Sequence, residues 1–172
     1  MKTILGWVSL FLFMASPSAV WAGTGMAILQ ATGSVALSGN VLFEETQKGL
    51  KITGHFLDVP PGKHGFHIHQ FGTCGDGGKA AGSHYNPADV SHGDLLREGF
   101  TKAHAGDLGN IEVGPDGKVQ FEKVVPGLTL SGGKYNIAGR AVVLHEKVDN
   151  FGQPVGNAGG RIGCGPIVIT GQ

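Results

Sequence analysis

The stretch "GNIEVGPDGKVQFEKV" at residues 109–124 contains two runs of alternating apolar and polar residues on either side of a Pro-Asp-Gly sequence. Successive side chains of an extended chain point to opposite faces, so alternation of this kind places apolar residues on one face of each strand. A Pro-Asp-Gly sequence between two such runs is typical of a β-hairpin. The stretch therefore predicts two antiparallel strands and favours an all-β fold.

Similar strand-like runs occur along the rest of the chain, each bounded by turn residues. They are "VALSGNVLFEET" (35–46), "LKITGHF" (50–56), "LDVPPGKHGFHIHQF" (57–71), "YNIAGRAVVLHE" (135–146) and "CGPIVIT" (164–170). No segment shows the sustained helical period of a long helix. Residues 72–109 and 146–163 lack the alternation and are long for connections, and long ordered loops on a β-scaffold commonly carry function. We expect one β-sandwich or β-barrel with two functional loops.

The first 22 residues have the pattern of a secretory signal peptide. Lys2 precedes the apolar run "ILGWVSLFLFM" at 4–14, and "AVWAG" at 19–23 predicts cleavage after Ala22. The apolar run is shorter than the roughly 20 residues that a membrane-spanning helix needs, so a retained interfacial anchor is the alternative. We expect residues 23–172 to form one exported domain with no stable membrane association after cleavage.

Charge and cysteine content narrow the classes of function. Thirteen basic and thirteen acidic residues balance, and no basic stripe with interleaved aromatic residues occurs, so no nucleic-acid partner is expected. Cys74 and Cys164 are the only cysteines. Such a pair indicates one disulfide in an exported protein and two thiols in a cytosolic one, and the signal peptide favours the disulfide.

The stretch "GFHIHQFGTC" at 65–74 places two histidines one residue apart between apolar neighbours. On a strand, His67 and His69 lie on the same face, about 6.5–7 Å apart at the backbone, which is close enough to bind one metal ion. Phe66 and Ile68 then face the opposite side. This pattern alone leaves a solvated strand face equally open, because it fixes no third ligand.

Further histidines and one carboxylate fall in or beside the two loops. They are His84, His92, His104, Asp107 and His145. Each one alone is more often a solvated or capping residue. Together with the pair at 67 and 69 they favour metal binding, because one carboxylate with three imidazoles suits tetrahedral zinc. A pocket of imidazoles with an open position suits copper.

Five motifs in a fixed order, "GFHIHQFG", "GSHYNP", "HAGDLGN", "VVLHEK" and "GNAGGRIGCG", resemble copper–zinc superoxide dismutase of the bacterial secreted type. The resemblance extends over nearly all of residues 23–172. It implies an eight-stranded Greek-key β-barrel that holds copper and zinc. It also implies disproportionation of superoxide to dioxygen and hydrogen peroxide outside the cytoplasm, with the periplasm as the expected location.

The resemblance assigns a role to each candidate residue. Copper ligands would be His67, His69, His84 and His145, and zinc ligands would be His84, His92, His104 and Asp107. His84 would bridge the metals and deliver a proton to substrate, and Arg161 would attract the anionic substrate, with Lys147 adding to the field. Asp149 would accept hydrogen bonds from His67 and His92 and so link the two ligand shells.

Several points stay open at this stage. His55 and His64 match no ligand position, and both are expected to be solvated. The run between His92 and His104 makes the second half of the first loop comparatively long, which leaves the oligomeric state between a homodimer, which we favour, and a monomer. A periplasmic copper and zinc buffer with little activity and a silent binding barrel are the alternative functions. The complete ligand set and the presence of Arg161 favour the enzyme.

Overall fold

The computed structural model describes residues 23–171, so the predicted signal peptide lies outside the described residues. Within this range the fold is nearly all β. The strands are β1 (Thr24–Ala31), β2 (Ser38–Thr46), β3 (Gly49–Leu57), β4 (Gly62–His69), β5 (Asp107–Val113), β6 (Val119–Val125), β7 (Ala141–His145), β8 (Arg161–Pro166) and β9 (Val168–Gly171). The helical segments are a 3₁₀ turn at Lys79–Ala81 and the one-turn helix α1 at Leu95–Glu98. No helix in residues 23–171 has the length and apolarity needed to cross a membrane.

The strands form one antiparallel sheet in the order β5-β4-β7-β8-β1-β2-β3-β6, which curls into a nearly closed barrel. Only Ile167 separates β8 from β9, and both strands pair with β1, so they act as one broken strand of an eight-stranded barrel. β4 pairs with β5 and β7, whereas β3 pairs with β2 and β6, so the chain crosses the end of the barrel between β3 and β4. This crossing is a Greek-key connection, and the predicted fold is confirmed.

The opening stretch forms its two strands and its turn, in which the Gly114 N–H donates to the Lys118 carbonyl at 3.0 Å. In residues 23–171, however, no ladder joins β5 to β6, because these strands are the two edges at which the barrel stays slightly open. The prediction of a hairpin is therefore right for the turn and wrong for the pairing beyond it. The late run at 135–146 is a strand only from Ala141 onward.

The barrel interior is filled by apolar side chains that alternate along the strands. Phe56, Phe66 and Phe121 form an aromatic cluster with ring centroids 5.0–6.2 Å apart. Gly54 lies under the ring of Phe121, where a Cβ atom would collide with it, so this packing needs a glycine. β4 is buried on both faces from His64 onward, because two loops cover the face opposite the core.

These loops are the β4–β5 loop (residues 70–106) and the β7–β8 loop (residues 146–160), and both fold back onto β4. The Ile68 N–H donates to the Gly106 carbonyl at 2.9 Å, and the Gly65 N–H donates to the Lys147 carbonyl at 2.9 Å. The Cys74–Cys164 disulfide, with Cα atoms 5.7 Å apart, fastens the β4–β5 loop to β8. The expected disulfide and the two predicted loops are confirmed.

A third long connection, the β6–β7 loop (residues 126–140), was not singled out by the sequence. Its Tyr135 ring stacks on Phe100 of the β4–β5 loop with centroids 3.8 Å apart. The Tyr85 hydroxyl donates to the Lys134 carbonyl at 2.7 Å, and the Arg140 guanidinium lies 3.4 Å from the centroid of the Tyr85 ring. The β6–β7 loop thus supports the β4–β5 loop from outside the barrel.

Candidate metal centre

Two groups of four metal-binding side chains lie side by side over the β4–β7 face, and all of them are buried. In each group, one ligand atom from every residue lies within 4.8 Å of the others. The first group is His67, His69, His84 and His145, and the second is His84, His92, His104 and Asp107. His84 belongs to both groups, so one imidazole ring separates the two candidate sites.

Neighbouring strands and one loop bring the first group together. β4 supplies His67 and His69, and the end of β7 supplies His145 beside them. His84 joins them because the β4–β5 loop forms an isolated antiparallel bridge between His69 and His84. The Nε2 atoms of His69 and His145 are 3.2 Å apart, and the ring centroids of His67 and His84 are 4.1 Å apart. The predicted placement of the pair at 67 and 69 opposite Phe66 and Ile68, which pack in the core, is confirmed.

Hydrogen bonds fix the orientation of these rings. The Nδ1 atom of His69 is 3.0 Å from the Gly82 carbonyl, and Nδ1 of His145 is 3.4 Å from the Gly159 carbonyl. Because a carbonyl only accepts, each of these nitrogens carries the proton and leaves Nε2 with a lone pair. His67 is reversed: its Nε2 donates to Asp149 Oδ2 at 2.8 Å, and its buried Nδ1 finds no hydrogen-bond partner in residues 23–171. A buried unpaired nitrogen costs about 1–3 kcal/mol, and a metal ion would satisfy it.

The second group converges on the carboxylate of Asp107 at the start of β5. Nδ1 of His84 and Nδ1 of His104 are 2.8 and 3.1 Å from Oδ1, and Nδ1 of His92 is 2.9 Å from Oδ2. The backbone N–H groups of Gly93 and His104 both donate to Oδ2 at 3.0 Å, which fixes the carboxylate. Three imidazole nitrogens around one carboxylate match the ligand set of tetrahedral zinc.

Asp149, which lies in the β7–β8 loop and is 1% exposed, connects the two groups. Its Oδ2 accepts from His67 at 2.8 Å, and its Oδ1 accepts from His92 Nε2 at 3.0 Å. The Phe151 N–H donates to the same Oδ1 at 2.8 Å. One carboxylate thus orients a ring of each group, as the sequence resemblance implied.

Burial favours the neutral form of three rings of the first group. Together with a contribution from the neighbouring imidazoles, it lowers the pKa of His69 to about 2, of His145 to about 3 and of His84 to about 4. Neutral imidazole is the form that binds a metal ion, so these rings are ready to act as ligands near neutral pH.

The carboxylates of Asp107 and Asp149 carry the negative charge at the two candidate sites. Burial opposes ionisation of Asp107 and Asp149, yet hydrogen bonds from the histidines hold the pKa of both carboxyls well below its ordinary value. Burial also disfavours charge on His92, but the adjacent carboxylates of Asp107 and Asp149 outweigh this and raise its pKa to about 9. Two buried carboxylates beside six imidazoles form a site that fits divalent cations.

Arg161 lies at the start of β8, half-buried, with its guanidinium directed at the β4–β5 loop. It donates to the backbone carbonyls of Gly78 and Gly82. The Gly82 carbonyl also accepts from His69, so one carbonyl separates Arg161 from the first group. Lys147 is exposed in the β7–β8 loop next to Gly159.

The two remaining histidines have different outcomes. His55 is exposed on β3, as expected. The expectation for His64 was wrong: it is only 3% exposed, and its ring nitrogens lie 2.9 Å from the His145 carbonyl and 2.8 Å from the Pro60 carbonyl. Alternation along β4 would have predicted that His64 is buried, because position 64 lies on the same face as Phe66 and Ile68.

The sequence profile of the family described as copper/zinc superoxide dismutase (SODC) matches residues 37–167, three quarters of the chain. The chain belongs to the copper/zinc superoxide dismutase family. It is 41% identical over 138 residues to the extracellular superoxide dismutase [Cu-Zn] of Caenorhabditis elegans, in a match that covers 76% of this chain and 61% of that relative. It also superposes on the crystal structure of the clock protein EA4 with a TM-score of 0.77 and 34% identity, covering 91% of this chain and 100% of that one.

Proposed function

We propose that this chain catalyses the disproportionation of superoxide, in which two superoxide anions and two protons give dioxygen and hydrogen peroxide. The observation that carries the proposal is His84, whose ring belongs at once to an all-imidazole group and to a group with three imidazoles and a carboxylate. A histidine shared between two such groups would link a copper site that does the redox chemistry to a zinc site that has none.

In this proposal His67, His69, His84 and His145 would hold copper, and His84, His92, His104 and Asp107 would hold zinc. Copper would supply the one-electron redox chemistry, while zinc, which has no redox chemistry, would hold its ligands in place. The donor sets support this division, because imidazoles alone suit copper and the carboxylate suits zinc. The unpaired Nδ1 of His67 is directed into the first group, where a ligand atom is needed.

His84 and Arg161 carry out the steps that belong to the protein. Nδ1 of His84 stays with the second group, so its Nε2 is the atom that can hold a proton and deliver it to reduced substrate. Asp107 keeps the ring oriented through the 2.8 Å contact to Nδ1. The permanent positive charge of Arg161, close to His69, attracts and orients the superoxide anion.

A metal buffer with little activity is the alternative function, and one experiment separates it from the enzyme. Metal-depleted protein is reloaded with copper and zinc, the bound metals are counted, and superoxide decay is followed by stopped-flow absorbance. We expect one copper and one zinc per chain and rapid decay that depends on copper. Full loading without accelerated decay would favour the buffer.

We further propose that residues 1–22 are a signal peptide and that the domain of residues 23–172 acts in the periplasm of a bacterium. The apolar run with its small-residue cleavage pattern supports export, and the Caenorhabditis elegans relative is named extracellular. Expression in a bacterium followed by cell fractionation and mass spectrometry tests this. A periplasmic product that begins at Gly23 is expected, and an uncleaved cytoplasmic product would contradict it.

We also propose that the chain forms a homodimer through an apolar patch on β1 and β9. Ile28 and Val168 are 58% and 54% exposed. Val168 pairs with Met26, which lies two residues before Ile28 on the same face of β1. A self-complementary patch of this kind suits a two-fold interface. Light scattering should give a dimer for the parent and a monomer for Ile28→Asp, and a monomeric parent would contradict the proposal.

A further inference from the structure

Asn110 makes a reciprocal pair of hydrogen bonds with the backbone of Asp149. Its Nδ2 donates to the Asp149 carbonyl at 2.9 Å, and the Asp149 N–H donates to its Oδ1 at 2.7 Å. A side-chain amide that satisfies both backbone groups of one residue acts like a neighbouring strand. Two bonds to one residue restrict its rotation as well as its position, which a single bond would not.

The barrel itself holds Asn110 firmly. Asn110 lies in β5, three residues after Asp107, and pairs with Gly65 of β4 just before the register shift that precedes His67. Its carbonyl accepts from the Nζ atom of Lys123 in β6 at 3.2 Å. Asn110 is therefore a fixed point of the barrel wall, whereas Asp149 belongs to a loop.

The consequence of this link follows from the contacts of the Asp149 carboxylate. Its oxygens lie 2.8 Å from Nε2 of His67 in the first group and 3.0 Å from Nε2 of His92 in the second. Any displacement of the Asp149 backbone would move both bonds. Through Asp149, the position of Asn110 therefore affects one histidine of each candidate metal site.

We propose that Asn110 is a positioning residue for both metal sites, acting through Asp149. It touches no ligand atom of either site, and its effect is to hold the Asp149 backbone so that the carboxylate orients His67 and His92 together. The inference rests on the proposed ligand assignment, which the parent protein tests first.

Asn86 provides a matched control with the same chemistry. Its Nδ2 donates to the Val90 carbonyl at 2.8 Å, and the Val90 N–H donates to its Oδ1 at 3.2 Å. This reciprocal pair lies inside the β4–β5 loop between His84 and His92. Loss of this pair loosens a loop of the second group but leaves Asp149 and its bond to His67 in place.

The experiment compares Asn110→Ala, Asn110→Asp and Asn86→Ala with the parent. Zinc affinity is measured by competition with a chromophoric chelator, and the copper site by its electron paramagnetic resonance spectrum. Unfolding of the metal-free proteins is measured separately. Asn110→Asp keeps the acceptor oxygen and the size of the side chain but replaces the donor with an anionic oxygen that faces the Asp149 carbonyl. This variant therefore removes the donated hydrogen bond without creating a cavity.

Both variants at Asn110 are expected to lower zinc affinity by about tenfold or more, the usual effect of losing a residue that orients a ligand. Both should also change the copper spectrum, whereas Asn86→Ala should leave that spectrum unchanged. A parent-like copper spectrum and zinc affinity in both Asn110 variants would overturn the proposal even if their thermal stability fell. A copper spectrum equally altered in Asn86→Ala would also overturn it. A parent that does not bind both metals would refute the proposed function itself.

Discussion

His64 binds the backbone of His145: its Nδ1 lies 2.9 Å from the carbonyl oxygen of that residue. His145 belongs to the first metal group, and the other ring nitrogen of His64 lies 2.8 Å from the Pro60 carbonyl, just before β4. A buried imidazole thus joins the entrance of β4 to the end of β7. It does so on the side of the strand that faces away from the metal groups.

Replacement of His64 by leucine should destabilise the protein. It should also weaken copper binding by the first group and leave zinc binding by the second group unchanged. The change leaves two carbonyls without their partner, which costs about 1–3 kcal/mol when the groups are buried. Urea unfolding of metal-free protein measures this loss, and copper and zinc affinities are measured separately. His55→Leu on the exposed side of β3 is the control and should unfold like the parent. An unchanged copper affinity in a destabilised His64→Leu would show that the tie serves stability only.

Single substitutions should affect metal binding at the two groups independently. His145→Ala removes a member of the first group only. Copper binding and catalysed superoxide decay should therefore be lost while zinc still binds. Asp107→Ala removes the carboxylate on which three imidazoles converge, so it should chiefly weaken zinc binding. Metal analysis of the purified variants measures both effects. Loss of zinc with retention of copper in His145→Ala would show that the ligand assignment is wrong.

Alternation and turn residues predict the fold well, because strand faces follow directly from the period of the sequence. They locate β3, β4 and the turn after Val113, and the resemblance supplies the ligands. They cannot show the open edge between β5 and β6, since pairing across that edge depends on how far the barrel closes. The contacts of Asn110 with Asp149 and of His64 with His145 were missed for a related reason, because the two residues of each pair are distant in sequence.

The Cys74–Cys164 disulfide should stabilise the domain and hold the β4–β5 loop against β8. It closes a loop of 90 residues, for which the chain-entropy account gives about 4–5 kcal/mol. Cys74→Ser should therefore lower the melting temperature clearly, as measured by calorimetry, with the Cys74→Ser/Cys164→Ser double variant matching it. Alkylation of the parent without reductant should modify no cysteine. Two modified cysteines in the folded parent would contradict the disulfide in solution.

Metal-free protein should lose stability as the pH falls below about 6.5, the ordinary pKa of histidine. The folded pKa values of His69, His145 and His84 are about 2, 3 and 4, so between these values and 6.5 the unfolded chain binds more protons and unfolding becomes easier. His92 acts in the opposite direction: its raised pKa of about 9 gives stability that is fully present below pH 6.5 and is lost as the pH rises through 9. Below pH 6.5 the contribution of His92 is constant, so the three buried histidines determine how stability changes there.

Calorimetry of the metal-free protein between pH 7 and pH 4 measures this dependence. We expect the melting temperature to fall by about 10 °C or more, given the ordinary conversion of stability into melting temperature for a domain of this size. Replacement of His145 by glutamine should flatten the curve by removing one of the three groups. A melting temperature that is independent of pH in this window would contradict the burial of neutral histidines.

Arg161 should govern the capture of superoxide without holding a metal. Its guanidinium is not a ligand, so Arg161→Gln should leave both metals bound, yet it should lower kcat/KM by at least about tenfold, or about 1.4 kcal/mol, because the steering charge is lost. Arg161→Lys keeps the charge but loses one of the two bonds to the Gly78 and Gly82 carbonyls, so an intermediate rate is expected. Arg97→Gln, an exposed arginine on α1, is the control and should behave like the parent.

Ionic strength supplies an independent check on the same charge. Screening over about 10 Å at 0.1 M salt should slow the parent and slow Arg161→Gln less, because the variant has less attraction to lose. Stopped-flow decay of superoxide at several salt concentrations, with metal content measured on the same samples, gives both quantities. Equal rates and equal salt dependence in parent and variant would show that Arg161 does not attract the substrate. Metal loss in Arg161→Gln would instead show that its bonds to the β4–β5 loop serve the ligands, with Gly82 as the point of contact between them.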